Sequence, residues 1–187
     1  MKTAGLILAA GRSRRFGPEN KLLALLDGQP LITYAANLMR ALPLDIRLAV
    51  TTTSDVVSLM HGFDAVVNDS PEAGQGDSLA LGVRAAQLRG ADWLLVLLAD
   101  MPFVTKAHCT ALLNACRDDR PAASTNGQLV MPPVCFPASW FEHLTALHGD
   151  QGAGKLLNAL PQEALIATPP ENLLDIDTKD SLARCAL

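Results

Sequence analysis

Residues 3 to 9, TAGLILA, are almost continuously apolar and run directly into AGRSRRFGPENK, a loop of small and basic residues that ends in Lys21. A strand apolar toward both faces must be covered on both, so this run suits a buried parallel strand and, with it, an open α/β sheet. The loop then opens at the strand's carboxyl end, where such sheets place their ligands. Ala10 and Gly11 let backbone N–H groups approach a ligand closely, and Arg12, Arg14, Arg15 and Lys21 add positive charge. That combination suits phosphate, although neither GxxxxGK[ST] nor GxGxxG is present: Gly17 follows Gly11 by six positions and leads into Pro18. A solvated basic turn is the plain alternative.

The rest of the chain continues in the same rhythm. Helical patterns at 30–42 and 54–62 alternate with apolar runs at 45–52 and 64–68, and a helix from Asp77 to Leu88 precedes the strand WLLVLLA at 93–99. Such βαβα alternation predicts an α/β fold, a three-layer α/β/α sandwich around a mostly parallel sheet. A helix at 105–116, extended segments near 121–136 and a helix at about 138–147 complete the less regular second half. With 187 residues and 49% hydrophobic content, residues 1–187 are expected to form one domain.

Asp100 ends the strand WLLVLLA and stands before Met101 and Pro102, an expensive position for an unpaired charge. A cation would offset the cost, and Mg2+ in particular favours one or two carboxylates plus substrate phosphates. Thr105 is the better N-cap for the following helix, which leaves Asp100 free. In LLDIDTKDSL, alternation predicts a strand that puts Asp175 and Asp177 on one face, followed by a helix near Thr178; capping by Asp177 or Thr178 is the plain alternative. In SPEAGQGDSLALGV, Gly74 and Gly76 bracket Gln75 in a turn, and Asp77 or Ser78 begins a helix whose N–H groups point at whatever lies in front.

These segments together resemble one family, the MobA-like nucleotidyltransferases, which include the molybdopterin cytidylyl- and guanylyltransferases. Leu8, Ala10, Gly11, Ser13, Arg15, Gly17 and Lys21 match the signature LxAGxSxRxG…K in order. LLADMPFV resembles the family's DMP segment, whose aspartate binds Mg2+, and Asp177 matches the second aspartate of DIDTPEDL, with Lys179 in place of the proline. Gly74, Gln75, Gly76, Ser78 and Leu79 match GQGxSL, which lies against the base. Gly149, Asp150, Gly152 and Ala153 match GDxGAR near the acceptor site, but Gly154 replaces the arginine and Lys155 stands one place later. The segment 127–136 lacks the GHP turn usual in the cytidylyl enzymes.

The resemblance implies a Rossmann-like nucleotidyltransferase fold and an enzyme that moves a nucleoside monophosphate from an NTP to a phosphomonoester, releasing pyrophosphate. It implies nucleotide binding by Leu8, Ala9, Ala10, Gly11, Ser13, Arg15, Lys21, Gln75, Gly76 and Ser78, catalysis by Arg15, Lys21 and Asp100, and Mg2+ held by Asp100 and Asp177. The cytidylyl enzymes tend to read LAAG where guanylyl enzymes read LAGG, so Ala10 favours CTP over GTP, with molybdopterin as acceptor. The alternatives are an enzyme of this fold that uses GTP or acts on a sugar phosphate or other small phosphomonoester, or a non-catalytic protein delivering finished cofactor to a molybdenum hydroxylase.

Other classes are disfavoured. Net charge is −4 and there are only five Phe, two Trp and one Tyr, so neither a basic field nor a stacking platform for nucleic acid is expected. The four cysteines and four histidines show no zinc or CxxC spacing, and no GxSxG elbow occurs. The apolar amino end is read as a strand, not a signal peptide, and no run is long enough to span a bilayer, so a cytoplasmic protein without membrane partners is expected.

Overall fold

The computed structural model describes residues 1–11, 15–70, 74–149 and 152–185. Its main sheet has seven strands in the order β5-β4-β1-β6-β8-β7-β9. They are β1 (Thr3–Ala9), β4 (Ile46–Thr51), β5 (Asp64–Val67), β6 (Trp93–Leu98), β7 (Ala122–Thr125), β8 (Val130–Pro137) and β9 (Leu165–Ala167); β2 (Leu25–Leu26) and β3 (Gln29–Pro30) form a separate hairpin. Strands β5, β4, β1 and β6 are mutually parallel, β8 runs against both β6 and β7, and β9 is parallel to β7.

Alternation along the central strands feeds two apolar layers. Ile7, Leu95 and Leu97 face helices α1 (Leu31–Ala41), α2 (Ser54–Leu59) and α4 (Lys106–Ala115), meeting Ala35, Ala36, Met39, Val56, Cys109 and Leu112. Leu6, Leu94 and Val96 face the other way, toward α3 (Gln75–Leu88), α5 (Phe141–Thr145) and α6 (Gly154–Leu157), meeting Leu79, Val83, Phe141, Leu144 and Leu157. The result is the three-layer α/β/α sandwich expected from the sequence. Helix α3 crosses β1 so closely that a Cβ on Gly82 would stand 2.5 Å from Leu6 Cδ2, which only glycine avoids.

The strand order fixes where a ligand can sit. From β1 the chain moves out through β4 to β5, then returns by α3 to β6 on the opposite flank of β1. The carboxyl ends of β1 and β6 therefore diverge into loops on either side of a switch point, the crevice where open α/β sheets bind ligands. Leu8 pairs with Leu98 in register, and Ala99 donates its backbone N–H to Leu8 O at 3.1 Å, so the loops after both strands start level.

One predicted element is absent. Residues 173–177 form no strand: Pro170–Leu173 make a 3-10 turn, and 174–177 follow without regular secondary structure, passing the carboxyl end of β6. The reason is that β6 already pairs with β1 on one side and β8 on the other. Only its end is open, and there Ile176 N–H bonds Asp100 O at 2.9 Å.

Candidate active site

Lys21 is placed by its own turn. Asn20 caps the 3-10 turn Lys21–Leu23 by accepting Leu22 N–H at 3.0 Å, and Leu22 is buried beneath, which directs the lysine across the switch point. Its Nζ donates to Asp100 Oδ2 at 2.6 Å and to Asp177 Oδ1 at 2.8 Å, with Lys21 only 7% exposed. Burial alone would lower the lysine's pKa, but the Asp100 charge and the hydrogen bonds to Asp100 and Asp177 outweigh it and leave it raised. Asp177 moves down, chiefly through the Lys21 hydrogen bond and against the cost of burial.

Asp177 reaches this place because a small third cluster seats its neighbour. Ile176 is fully buried against Phe16, Leu26 and Leu31, so it joins the glycine loop, the β2–β3 hairpin and α1 to the carboxyl-terminal segment. Arg15 then meets Asp177 Oδ2 at 2.9 Å, though the arginine side chain is 78% exposed. Helix α7 (Lys179–Cys185) takes its cap from Thr178, whose Oγ1 accepts Ser181 N–H at 3.0 Å. Thr105 caps α4 in the same way, accepting His108 N–H at 3.2 Å. Neither Asp100 nor Asp177 is used as a cap, and both face Lys21. Asp175 stays apart from that ion pair; burial first, then the charges of Asp177 and Asp100, push its carboxyl above the usual range.

On the other side of the crevice, α3 starts two residues earlier than Asp77. Gly74, at φ 114°, serves as its N-cap, so Gln75 and Gly76 belong to the first helical turn. That turn is already engaged: Gly76 N–H bonds Gly149 O at 2.8 Å, and Gly149 N–H bonds Asp77 Oδ2 at 2.7 Å. The Gly149 N–H, and after it the His148 ring at 3.3 Å, hold the Asp77 carboxyl below its ordinary range. A Cβ on Gly152 would lie 3.2 Å from Gln75 Oε1. Residues 75–77 at the start of α3 thus meet His148, Gly149 and Gly152.

The remaining expected residues divide by geometry. Leu8, Ala9 and Ala10 lie at the end of β1, with Ala10 only 6% exposed in the α3-facing layer; Gly11 is exposed, and a Cβ there would meet nothing within 4 Å. Ser78 points inward, accepting from Asn68 Nδ2 at 2.9 Å and donating to Gly74 O at 3.3 Å. Arg12, Ser13, Arg14 and Asp150 lie outside the described residues. Asn20, Phe16 and Ile176 support the site without belonging to any motif; Asp27-Gly28, a hairpin dipeptide with φ of 48° and 78°, is the sequence signal for the element beside them.

The site's oxygen donors fit a hard divalent cation. Asp100 Oδ1 is buried with no hydrogen-bond partner among the described residues, while the second carboxylate stands across the same ammonium group. Two carboxylates are a donor set that suits Mg2+ when phosphate and water complete its shell.

Known proteins resemble this chain in sequence and in fold. The profile of the MobA-like NTP transferase domain matches residues 5–164, a span that includes Lys21 and Asp100 and ends before Asp177. The purine catabolism protein PucB of Bacillus subtilis is 33% identical over 94% of this chain and 92% of its own length. A molybdenum cofactor guanylyltransferase of Cereibacter sphaeroides is 30% identical over 98% of this chain and 95% of its own. The structure of Rv0371c from Mycobacterium tuberculosis in complex with manganese superposes with a TM-score of 0.78 at 25% identity, covering 99% of this chain and 98% of that one. Among the described residues no helix is long and apolar enough to cross a membrane. Because the profile spans most of the sequence and two relatives align along nearly all of it, the chain belongs to the MobA-like NTP transferase family of nucleotidyltransferases.

Proposed function

We propose that this nucleotidyltransferase moves CMP from CTP onto the phosphomonoester of molybdopterin, with pyrophosphate as the leaving group. The observation that carries the reading is Lys21 Nζ held between Asp100 and Asp177 at the sheet's switch point, where β1 leads into the exposed Gly11. A phosphomonoester has a second pKa near 6, so the nucleophile is already largely anionic at neutral pH and no general base is needed. What remains is positioning and charge neutralisation. Arg15 and Lys21 bind the β- and γ-phosphates and stabilise charge that grows on the leaving pyrophosphate, while Leu8 to Gly11 and Ser13 lie along the nucleotide. Gln75 and Gly76 border the base. Asp100 and Asp177 would hold Mg2+, which would supply Lewis-acid neutralisation of the phosphates.

CTP is favoured by Ala10, whose methyl fills the layer between the end of β1 and α3 and so narrows the space for a base. GTP is the second reading, favoured by the relatives named as guanylyltransferases. The acceptor reading rests on those same names and on His148, Gly149 and Gly152 lying against the start of α3; a molybdenum hydroxylase would then be the client of the product. Incubation with each NTP, Mg2+ and molybdopterin, with pyrophosphate release as the readout, tests the whole reading. Turnover with CTP exceeding that with GTP supports it, GTP preference replaces the nucleotide, and release only with a sugar phosphate replaces the acceptor.

A further inference from the structure

We infer that Lys21 is the resident cation of the Asp100 and Asp177 pair, and that it keeps a divalent ion out until nucleotide phosphate draws it away. The inference rests on the metal reading proposed above and adds an order to it: nucleotide first, or metal with nucleotide, never metal alone. Three of the four carboxylate oxygens are taken, Asp100 Oδ2 and Asp177 Oδ1 by Lys21 and Asp177 Oδ2 by Arg15. Only Asp100 Oδ1 lacks a partner among the described residues. An ion using both carboxylates must therefore share them with an ammonium group in a half-dry site, where like charges repel strongly.

Lys21 is well placed to act as such a plug. It is almost fully buried and touches both acids, whereas Arg15 is largely in solvent and easily gives way. Polyphosphate offers both cations a richer partner than a single carboxylate, so its arrival frees the acids for the metal. The linkage is reciprocal, because whatever nucleotide adds to metal affinity, metal adds to nucleotide affinity.

The test is Mn2+ binding without nucleotide, read by electron paramagnetic resonance, in the wild type, K21M and K21Q. Removing the ammonium should tighten Mn2+ by at least tenfold, and adding D100N to K21M should abolish the gain. Equal or weaker binding in folded K21M and K21Q overturns the inference while leaving a metal site in place. Absence of Mn2+ binding in these variants and in the wild type with CTP overturns the metal reading, and the inference with it. As a measurement independent of the variants' folding, the Lys21 ammonium signal in 15N–1H spectra of the wild type should ignore millimolar Mg2+ and move on adding MgCTP. A shift with Mg2+ alone overturns the order.

Discussion

Replacing Asp100 by asparagine keeps an acceptor for Lys21 and nearly the same shape, but removes a negative charge from a position with one oxygen already unpartnered. Loss of charge stabilisation at a reacting phosphate typically costs about 10²- to 10³-fold in kcat. D100N should therefore lose pyrophosphate release on that scale while its circular dichroism stays that of the wild type. An unfolded D100N would make the residue structural, and an active one would remove it from the mechanism. Ala10 tests the base. Its methyl is packed rather than exposed, so A10G should act by widening the space beneath the base. One methylene-sized change discriminates by about 1–3 kcal/mol, so A10G should shift the CTP to GTP ratio of kcat/KM toward GTP by roughly 10- to 200-fold. An unchanged ratio means this position does not set the base.

At the scale of elements, α4 is fastened to the sheet by a short relay. Ser124 of β7 donates its single hydroxyl proton to Pro133 O at 2.6 Å, so His108 Nε2, 2.7 Å from Ser124 Oγ, must be the donor in that pair. Burial lowers the His108 pKa, so the folded protein resists protonation of this ring. The unfolded value is about 6.5. Stabilisation from the neutral ring is accordingly complete above that pH and lost as pH falls from it toward the lower folded value. Urea unfolding at pH 7.5 and 5.5 should show a drop in the wild type that is smaller in H108Q; equal drops would exonerate His108. Most elements were legible in the sequence because they carry their own period. The apolar run of β1 and the stripe Leu31, Ile32, Ala35, Ala36 and Met39 of α1 are examples. The strand expected at 173–177 failed because alternation cannot report that both edges of β6 are taken. The β2–β3 hairpin was missed because two-residue strands are too short to alternate. The candidate site was legible only in pieces. Lys21 lies 79 residues from Asp100 and 156 from Asp177, so no spacing rule joins them, and family resemblance had to.

Over the whole molecule, the site is assembled from loops after β1 and β6, the start of α3 and a carboxyl-terminal segment that belongs to no strand of the sheet. Because the sheet is complete by β9, this last segment contributes to the site more than to the frame. Leu173 still packs into the α1-facing core, so the informative truncation ends at Leu174. It removes Asp177 together with Ile176, whose burial covers Phe16, Leu26 and Leu31, and α7, whose Leu182 and Cys185 add partly buried contacts to the same cluster. Losing a buried side chain of that size costs about 2–5 kcal/mol. For a chain of this length that corresponds to a fall in Tm on the order of 10 °C. Native-like circular dichroism, a lower Tm and no measurable pyrophosphate release are the expected outcome. D177N on the full-length chain separates the two roles, since it should lose turnover with little change in Tm. If the truncated chain is instead insoluble, the carboxyl-terminal segment is part of the folding core; if it retains turnover, Asp177 has no place in the chemistry and Asp100 holds the metal alone.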